Sequence, residues 1–325
     1  MIASQARAAV VQAGRRLLAE GLVARTWGNV SVRVDDRTMA VTPSGIAYPD
    51  LTEERVVLVD LVTGAWSGPD RPSGERAVHR AVYRRRPQVL AAVHTHQAAA
   101  SVCAAARVGV ETPFGAVPCA PYGLPGTRRL TEGTVGSLGA GPAVLMANHG
   151  AFAVGASLDE AFARIAQLER SCAAHVAAHH LGGEALPAPV DAPWDPACLT
   201  PVRLDDGTEG LLSAAPYTAR FAALRRDLPP VLDDVAQLTG RRVRCVATLP
   251  RRRPRADAVL VAGRGALAVG ADAEAVAMVV EKAARAWIGG TGFGGASAVP
   301  GWEALLMRAV YTRSYSRRAA AVPGA

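Results

Sequence analysis

Three histidines carry the most specific chemistry in this 325-residue chain. His94 and His96 sit two apart in Ala92-Val93-His94-Thr95-His96, and His149 lies in Asn148-His149-Gly150 after a second apolar run. Residues two apart on a strand point to the same side of a sheet, so His94 and His96 can reach one ion. Three protein ligands leave a position open for water or substrate, the arrangement of catalytic metal sites. An HxH pair alone is a weak signal. The third histidine, together with Glu75 and His79 one helical turn apart, lifts it well above chance. His175, His179 and His180 also fall at helical spacing, but no carboxylate motif accompanies them and an exposed helix end is the better reading.

The elements that must hold these groups follow from periodicity. Ala8, Val11, Leu17, Leu18 and Leu22 predict an amphipathic helix from about 4 to 22, closed by Gly21. Strands are expected at Asn29 to Val34, Met39 to Thr42 and Val56 to Leu61, with a chain break at Pro43-Ser44-Gly45. Glu75 to Arg86 reads as a helix. Val89 to Val93 leads as a strand into the first two histidines, and Leu145 to Ala147 leads into the third. Ser157, with Glu160, reads as the capping box of a helix that ends at Leu181-Gly182-Gly183.

Downstream, residues 186–215 carry several prolines and read as a linker between a domain at 1–185 and another at 216–325. The run Ala143 to Gly155 matches Ala258 to Gly270 without a gap, which an internal repeat explains most simply. Arg264 replaces His149 in the second copy, and no histidine follows His180. The C-terminal part therefore reads as a truncated, metal-free pseudo-repeat, too short for a double-histidine strand of its own.

Composition narrows the function classes. Half the residues are hydrophobic, a fifth are charged and the formal charge is +8. The basic runs, such as Arg84-Arg85-Arg86 and Arg251-Arg252-Arg253, are short and lack interleaved aromatics, so no nucleic-acid partner is expected. Five scattered cysteines without a CxxC pair point to reduced thiols. With no signal-peptide pattern and no apolar run of about 18 residues, a cytoplasmic protein without a membrane partner is expected.

Six separated segments, in order and with matching gaps, give a more specific reading. They are Thr26 to Arg33 (TWGNVSVR), Thr42 to Gly45 (TPSG), Arg71 to Glu75 (RPSGE) with His79, Ala92 to His96 (AVHTH), Val117 to Gly123 (VPCAPYG) with Gly126-Thr127, and Asn148 to Gly150 (NHG). Over residues 6 to about 180 this set resembles the class II aldolase and adducin family. The resemblance implies an α/β/α fold with a mainly antiparallel central sheet, beside the smaller α/β pseudo-repeat. It implies one divalent ion on His94, His96 and His149, zinc first and manganese, cobalt or iron as alternatives. It also implies Glu75 as acid/base and a phosphate cradle of Asn29, Ser44, Gly45, Ser73 and Gly74. Tight turns at Gly28-Asn29 and Ser44-Gly45 agree with an anion-binding nest.

The implied activity is a lyase of the aldolase type that makes or cleaves a C–C bond of a hydroxyketone or ketose through a metal-stabilised enediolate, in a homo-oligomer. Epimerase, dehydratase or decarboxylase chemistry in the same family is the alternative, and a non-catalytic adducin-like interaction protein is a third reading. Three departures from the family pattern stand out. Gly74 replaces a serine, the catalytic tyrosine expected between His96 and Val117 is missing, and the C-terminal repeat is additional. Tyr122 could replace the tyrosine only if it faces the metal, and a structural role under its loop fits it better.

Overall fold

The computed structural model describes residues 1–23, 26–180 and 185–315, so the helix end expected at Leu181-Gly182-Gly183 lies outside the described residues. The chain divides into two compact units, Met1–Cys172 and Ala173–Ala325. Among the described residues no helix is long and apolar enough to cross a membrane.

In the first unit, helix α1 (Ala3–Ala19) precedes strands β1 (Asn29–Arg33), β2 (Thr38–Val41), β3 (Val57–Asp60) and β4 (Trp66–Ser67). Helix α2 (Arg76–Arg85), β5 (Ala91–Thr95), α3 (Ala98–Ala106), β6 (Val110–Thr112), β7 (Gly115–Val117) and β8 (Cys119–Ala120) follow. Helix α4 (Arg128–Leu138), β9 (Ala143–Met146), β10 (Gly150–Gly155) and α5 (Leu158–His179) complete the series. The sheet has the order β4-β3-β2-β1-β5-β10-β9-β8, antiparallel throughout except for β8 beside β9. Asn29 and His94 are direct cross-strand partners, as are His94 and Phe152. They therefore share one face, which α2 and α4 cover through Val78, Val82, Leu130 and Val135. Val30 and Val32 alternate to the other face, and α1 packs on β1 and β2.

The second unit has strands β11 (Leu199–Arg203) and β12 (Glu209–Ser213), helices α6 (Pro216–Ala223) and α7 (Asp233–Thr239), and strands β13 (Cys245–Val246), β14 (Ala258–Val261) and β15 (Gly265–Val269). Helices α8 (Ala273–Gly289) and α9 (Gly301–Val310) follow. Its sheet runs β11-β12-β15-β14-β13, with only the last pair parallel. That is the order and sense of β1-β5-β10-β9-β8. The expected linker at 186–215 is thus corrected, since residues 199–213 are two strands of this sheet. Proline misled the sequence reading, because Pro201 sits on edge strand β11, where a missing N–H breaks no ladder.

The repeat extends well beyond the matched run. Met146 faces Gly150 as Val261 faces Gly265, and Thr95 faces Ala151 as Ser213 faces Ala266. A Cβ on Gly150 would lie 2.2 Å from the Thr95 carbonyl oxygen, and one on Gly265 would lie 1.9 Å from that of Ser213, so glycine is obligatory at both places. The Asn148 N–H bonds the Ala104 carbonyl, and the Gly263 N–H bonds that of Ala222. In each unit a glutamate of the long helix receives the N–H groups that open the shorter one: Glu169 those of Ala99 and Ala100, Glu281 those of Tyr217 and Thr218. Strand β12 therefore occupies the place of the double-histidine strand, which corrects the expectation that the second copy lacks room for one. Leu212, Ala214 and Arg264 stand where His94, His96 and His149 stand in the first, and Leu212 packs in an apolar cluster.

Glu281 is 3% exposed and also accepts the Thr218 hydroxyl. Glu281→Ala leaves these donors unpaired beside Arg285, so we expect a loss of about 2–4 kcal/mol. Urea unfolding followed by circular dichroism checks this. An unchanged midpoint rejects the capping role.

Candidate metal centre

Strand β5 ends by pointing His94 and His96 to one place, and the turn between β9 and β10 delivers His149 to the same place. That turn is tightly held. Asn148 adopts a left-handed φ of 60°, its side-chain oxygen accepts two N–H groups of Arg107, and the His149 N–H bonds the Met146 carbonyl. The Nε2 atom of His94 lies 2.9 Å from that of His96 and 3.0 Å from that of His149. All three rings are buried, and Trp27 lies nearly parallel to His96 at 6.2 Å. Glu75, the N-cap of α2, places Oε1 2.8 Å from His149 Nε2 and Oε2 3.2 Å from His94 Nε2. Among the described residues these histidines are the one group of three or more His, Cys, Asp or Glu placed to hold a metal ion.

The electrostatics call for a cation. His94 Nδ1 donates to the Ala151 carbonyl at 2.8 Å, which leaves Nε2 as a lone pair aimed at the other rings. Burial drives the pKa of His94 down to about 3, so the ring is neutral near pH 7. Burial pushes Glu75 upward, but its proximity to His94 and His149 and the hydrogen bond from Asn29 outweigh that and hold it well below the carboxylate range. A neutral His94 cannot supply the positive charge this requires. A divalent ion among the three imidazoles and one carboxylate would remove the conflict, and the donor set suits one.

Asn29 and His79 have roles that the sequence only hinted at. Asn29 is buried, donates through Nδ2 to Glu75 Oε2 at 3.0 Å, and accepts through Oδ1 from His79 Nε2. His79 Nδ1 lies 2.6 Å from the Ser31 hydroxyl, which lies 2.8 Å from the Tyr83 hydroxyl. Sequence reasoning placed Glu75 and His79 on one helix face but missed Ser31 and Tyr83. The signal was present in the spacing, since Asn29 and Ser31 alternate on a strand while Glu75, His79 and Tyr83 recur every four residues.

The other predicted residues lie on two adjacent turns joined by a bridge between Pro43 and Pro72. The Ser44 N–H bonds the Arg71 carbonyl, the Ser73 N–H bonds that of Thr42, and the Ser73 hydroxyl accepts the Glu75 N–H. Ser44 and Ser73 therefore have their N–H groups committed within the fold. Gly45 has φ of 75°, and Gly74 is exposed. Tyr122 is buried, in keeping with the structural role expected of it.

Burial also lowers the pKa of His79, to about 4. Between that value and the unfolded value near 6.5, the unfolded chain binds a proton that the folded chain refuses. Stability is therefore complete above about pH 6.5 and is lost as pH falls toward 4. For chelator-treated protein we expect about 2 kcal/mol of this loss from His79 by pH 5. His79→Gln should flatten the pH dependence of the urea midpoint, and an unchanged slope would contradict a buried neutral imidazole.

Comparison with known proteins accords with this geometry. Residues 8–176 match the class II aldolase and adducin N-terminal domain. The chain is 33% identical over 180 residues to 3-oxo-tetronate 4-phosphate decarboxylase of Pectobacterium atrosepticum, covering 51% of this chain and 82% of that protein. It is 31% identical over 179 residues to 5-deoxy-D-ribulose 1-phosphate aldolase of Bacillus thuringiensis serovar kurstaki, covering 52% and 83%. A solved L-fuculose 1-phosphate aldolase superposes with a TM-score of 0.53 at 28% identity, covering 58% of this chain and 91% of that one. The chain belongs to the class II aldolase and adducin family and is a metal-dependent lyase of the aldolase type.

Proposed function

We propose that this lyase makes or cleaves a C–C bond of a small phosphorylated hydroxyketone or ketose, with Glu75 carrying the proton. The observation behind the reading is the Glu75 carboxylate, held 2.8 and 3.2 Å from two of the three converging imidazole nitrogens. His94, His96 and His149 would hold the ion, with zinc the first candidate and manganese, cobalt and iron next. When bound, a divalent cation supplies Lewis acidity that stabilises an enediolate.

The chain's own residues do the rest. In synthesis Glu75 would take a proton from the carbon beside the ketone, that carbon adds to the aldehyde carbonyl, and the new alkoxide gains a proton. In cleavage the alcohol loses that proton as the C–C bond breaks, and Glu75 protonates the carbon left beside the ketone. The carboxylate is 13% exposed, and the Asn29 N–H orients it. The phosphate would be held by the hydroxyls of Ser44 and Ser73, the N–H groups of Gly45 and Gly74, and the second N–H of the Asn29 amide. The relatives above are named for phosphorylated substrates, which supports this cradle. One of them is a decarboxylase, so loss of carbon dioxide at the same site is the second reading. A cytoplasmic homo-oligomer is the form proposed for the enzyme.

Two measurements test the reading. Elemental analysis should find about one ion per chain in the wild type and none in His94→Ala. Zinc-loaded protein should exchange a carbon-bound proton of dihydroxyacetone phosphate for deuterium, seen by NMR. Glu75→Gln should slow exchange about 10²-fold or more while the ion stays bound. Full exchange in that variant would remove Glu75 from the chemistry, and a wild type that binds no metal would sink the proposal.

A further inference from the structure

The contacts beside Glu75 form a ladder between one strand and one helix. Two residues of a strand advance by about 6.6 Å, and four residues of a helix by about 6 Å. Alternate residues of β1 therefore stay in step with every fourth residue of α2. Asn29, Ser31 and Arg33 interleave with Glu75, His79 and Tyr83, and Asn29 and Ser31 each bond the residues on either side. Asn29 joins Glu75 to His79, Ser31 joins His79 to Tyr83, and Arg33 donates to the Tyr83 carbonyl. Asn29, Ser31, His79 and Tyr83 are all at least nine-tenths buried.

The ladder has a direction. Glu75 as an anion accepts only, so Asn29 must turn Nδ2 toward it and Oδ1 toward His79. His79 must then carry its proton on Nε2, and its Nδ1 must accept from Ser31. Ser31 has one proton, which this direction commits to His79, and the Tyr83 hydroxyl closes the ladder against both the Ser31 hydroxyl at 2.8 Å and the Ser31 carbonyl at 3.0 Å. The reverse arrangement would set the Asn29 carbonyl against the carboxylate. We propose that Asn29, His79, Ser31 and Tyr83 form a positioning relay that fixes the orientation of the Glu75 carboxylate at the metal centre. His79, held as its Nε2–H tautomer, is the link that sets its polarity. The proposal rests on the reading of Glu75 as the proton carrier. His79 is a positioning residue and touches neither ion nor substrate.

The test uses the full chain with ¹⁵N-labelled histidine, zinc-loaded and chelated, at pH 7. Long-range ¹H–¹⁵N correlation should show His79, identified by its loss in His79→Leu, as the Nε2–H tautomer in both states. An Nδ1–H or mixed pattern overturns the relay. Exchange of dihydroxyacetone phosphate should fall about 10- to 100-fold in kcat in His79→Leu, with KM and zinc content unchanged. His79→Gln, which offers one donor and one acceptor, should recover most of it. If the leucine variant is as fast as wild type, or glutamine rescues nothing, the relay fails. Should His79→Leu not fold, Ser31→Ala removes one hydroxyl and must give a mixed His79 tautomer and slower exchange, and a pure Nε2–H pattern with full exchange counts against the relay. Wild type that binds zinc without exchanging defeats the reading of Glu75, and the tautomer then decides the relay alone.

Discussion

A buried carboxylate facing three imidazole nitrogens is the constraint around which the first unit is arranged. Nitrogen atoms of all three rings and the Glu75 carboxylate are crowded into one place. Burying unpaired charge costs several kcal/mol. On the proposed reading a cation completes the site, and the residues that would hold it are oriented from behind. The Ala151 carbonyl orients His94, Arg107 braces the turn that carries His149, and Asn29 holds Glu75. Each support comes from an element adjacent to the one it steadies, so the sheet order places the ligands and also stiffens them.

The second unit separates what the architecture needs from what the chemistry needs. It keeps the five-strand order, the hairpin register, the obligatory glycine at the close crossing and the glutamate that caps the shorter helix. Leu212, Ala214 and Arg264 take the ligand positions, and an apolar cluster containing Leu212 fills the space beneath. The same strand order and register are therefore built without histidines at these positions, so the sheet of the first unit does not require them.

Much of this was legible because periodicity reports strands and helices directly. The HxH pair, the NHG turn, the α2 face bearing Glu75 and His79, and the hairpin repeat all follow from spacing. The strands at 199–203 and 209–213 were hidden by composition. An edge strand tolerates proline, and Gly210 approaches the neighbouring Ala268 carbonyl too closely for a side chain, so both residues looked like loop signals while serving a sheet. The role of Asn29 was hidden for a different reason. A turn asparagine beside glycine suggests anion binding, and only the register of β1 on β5 shows that its amide is already shared between Glu75 and His79.

That sharing bears on how one scaffold could serve both aldol cleavage and decarboxylation, the two reactions named among the relatives. Both reactions pass through an enediolate-like electron distribution, and they differ in which bond to carbon breaks. On the proposed reading the part common to both is the metal centre, and the residues assigned to it are held by strands and by a ladder of hydrogen bonds. In the two turns Ser44, Gly45 and Gly74 are more exposed, and both turns are bonded largely through backbone. On the proposed reading, substitutions there, such as glycine where the family pattern has serine at 74, would change what is bound at small cost to the fold. Substrate choice can therefore vary at the rim while the metal centre and its supports stay fixed.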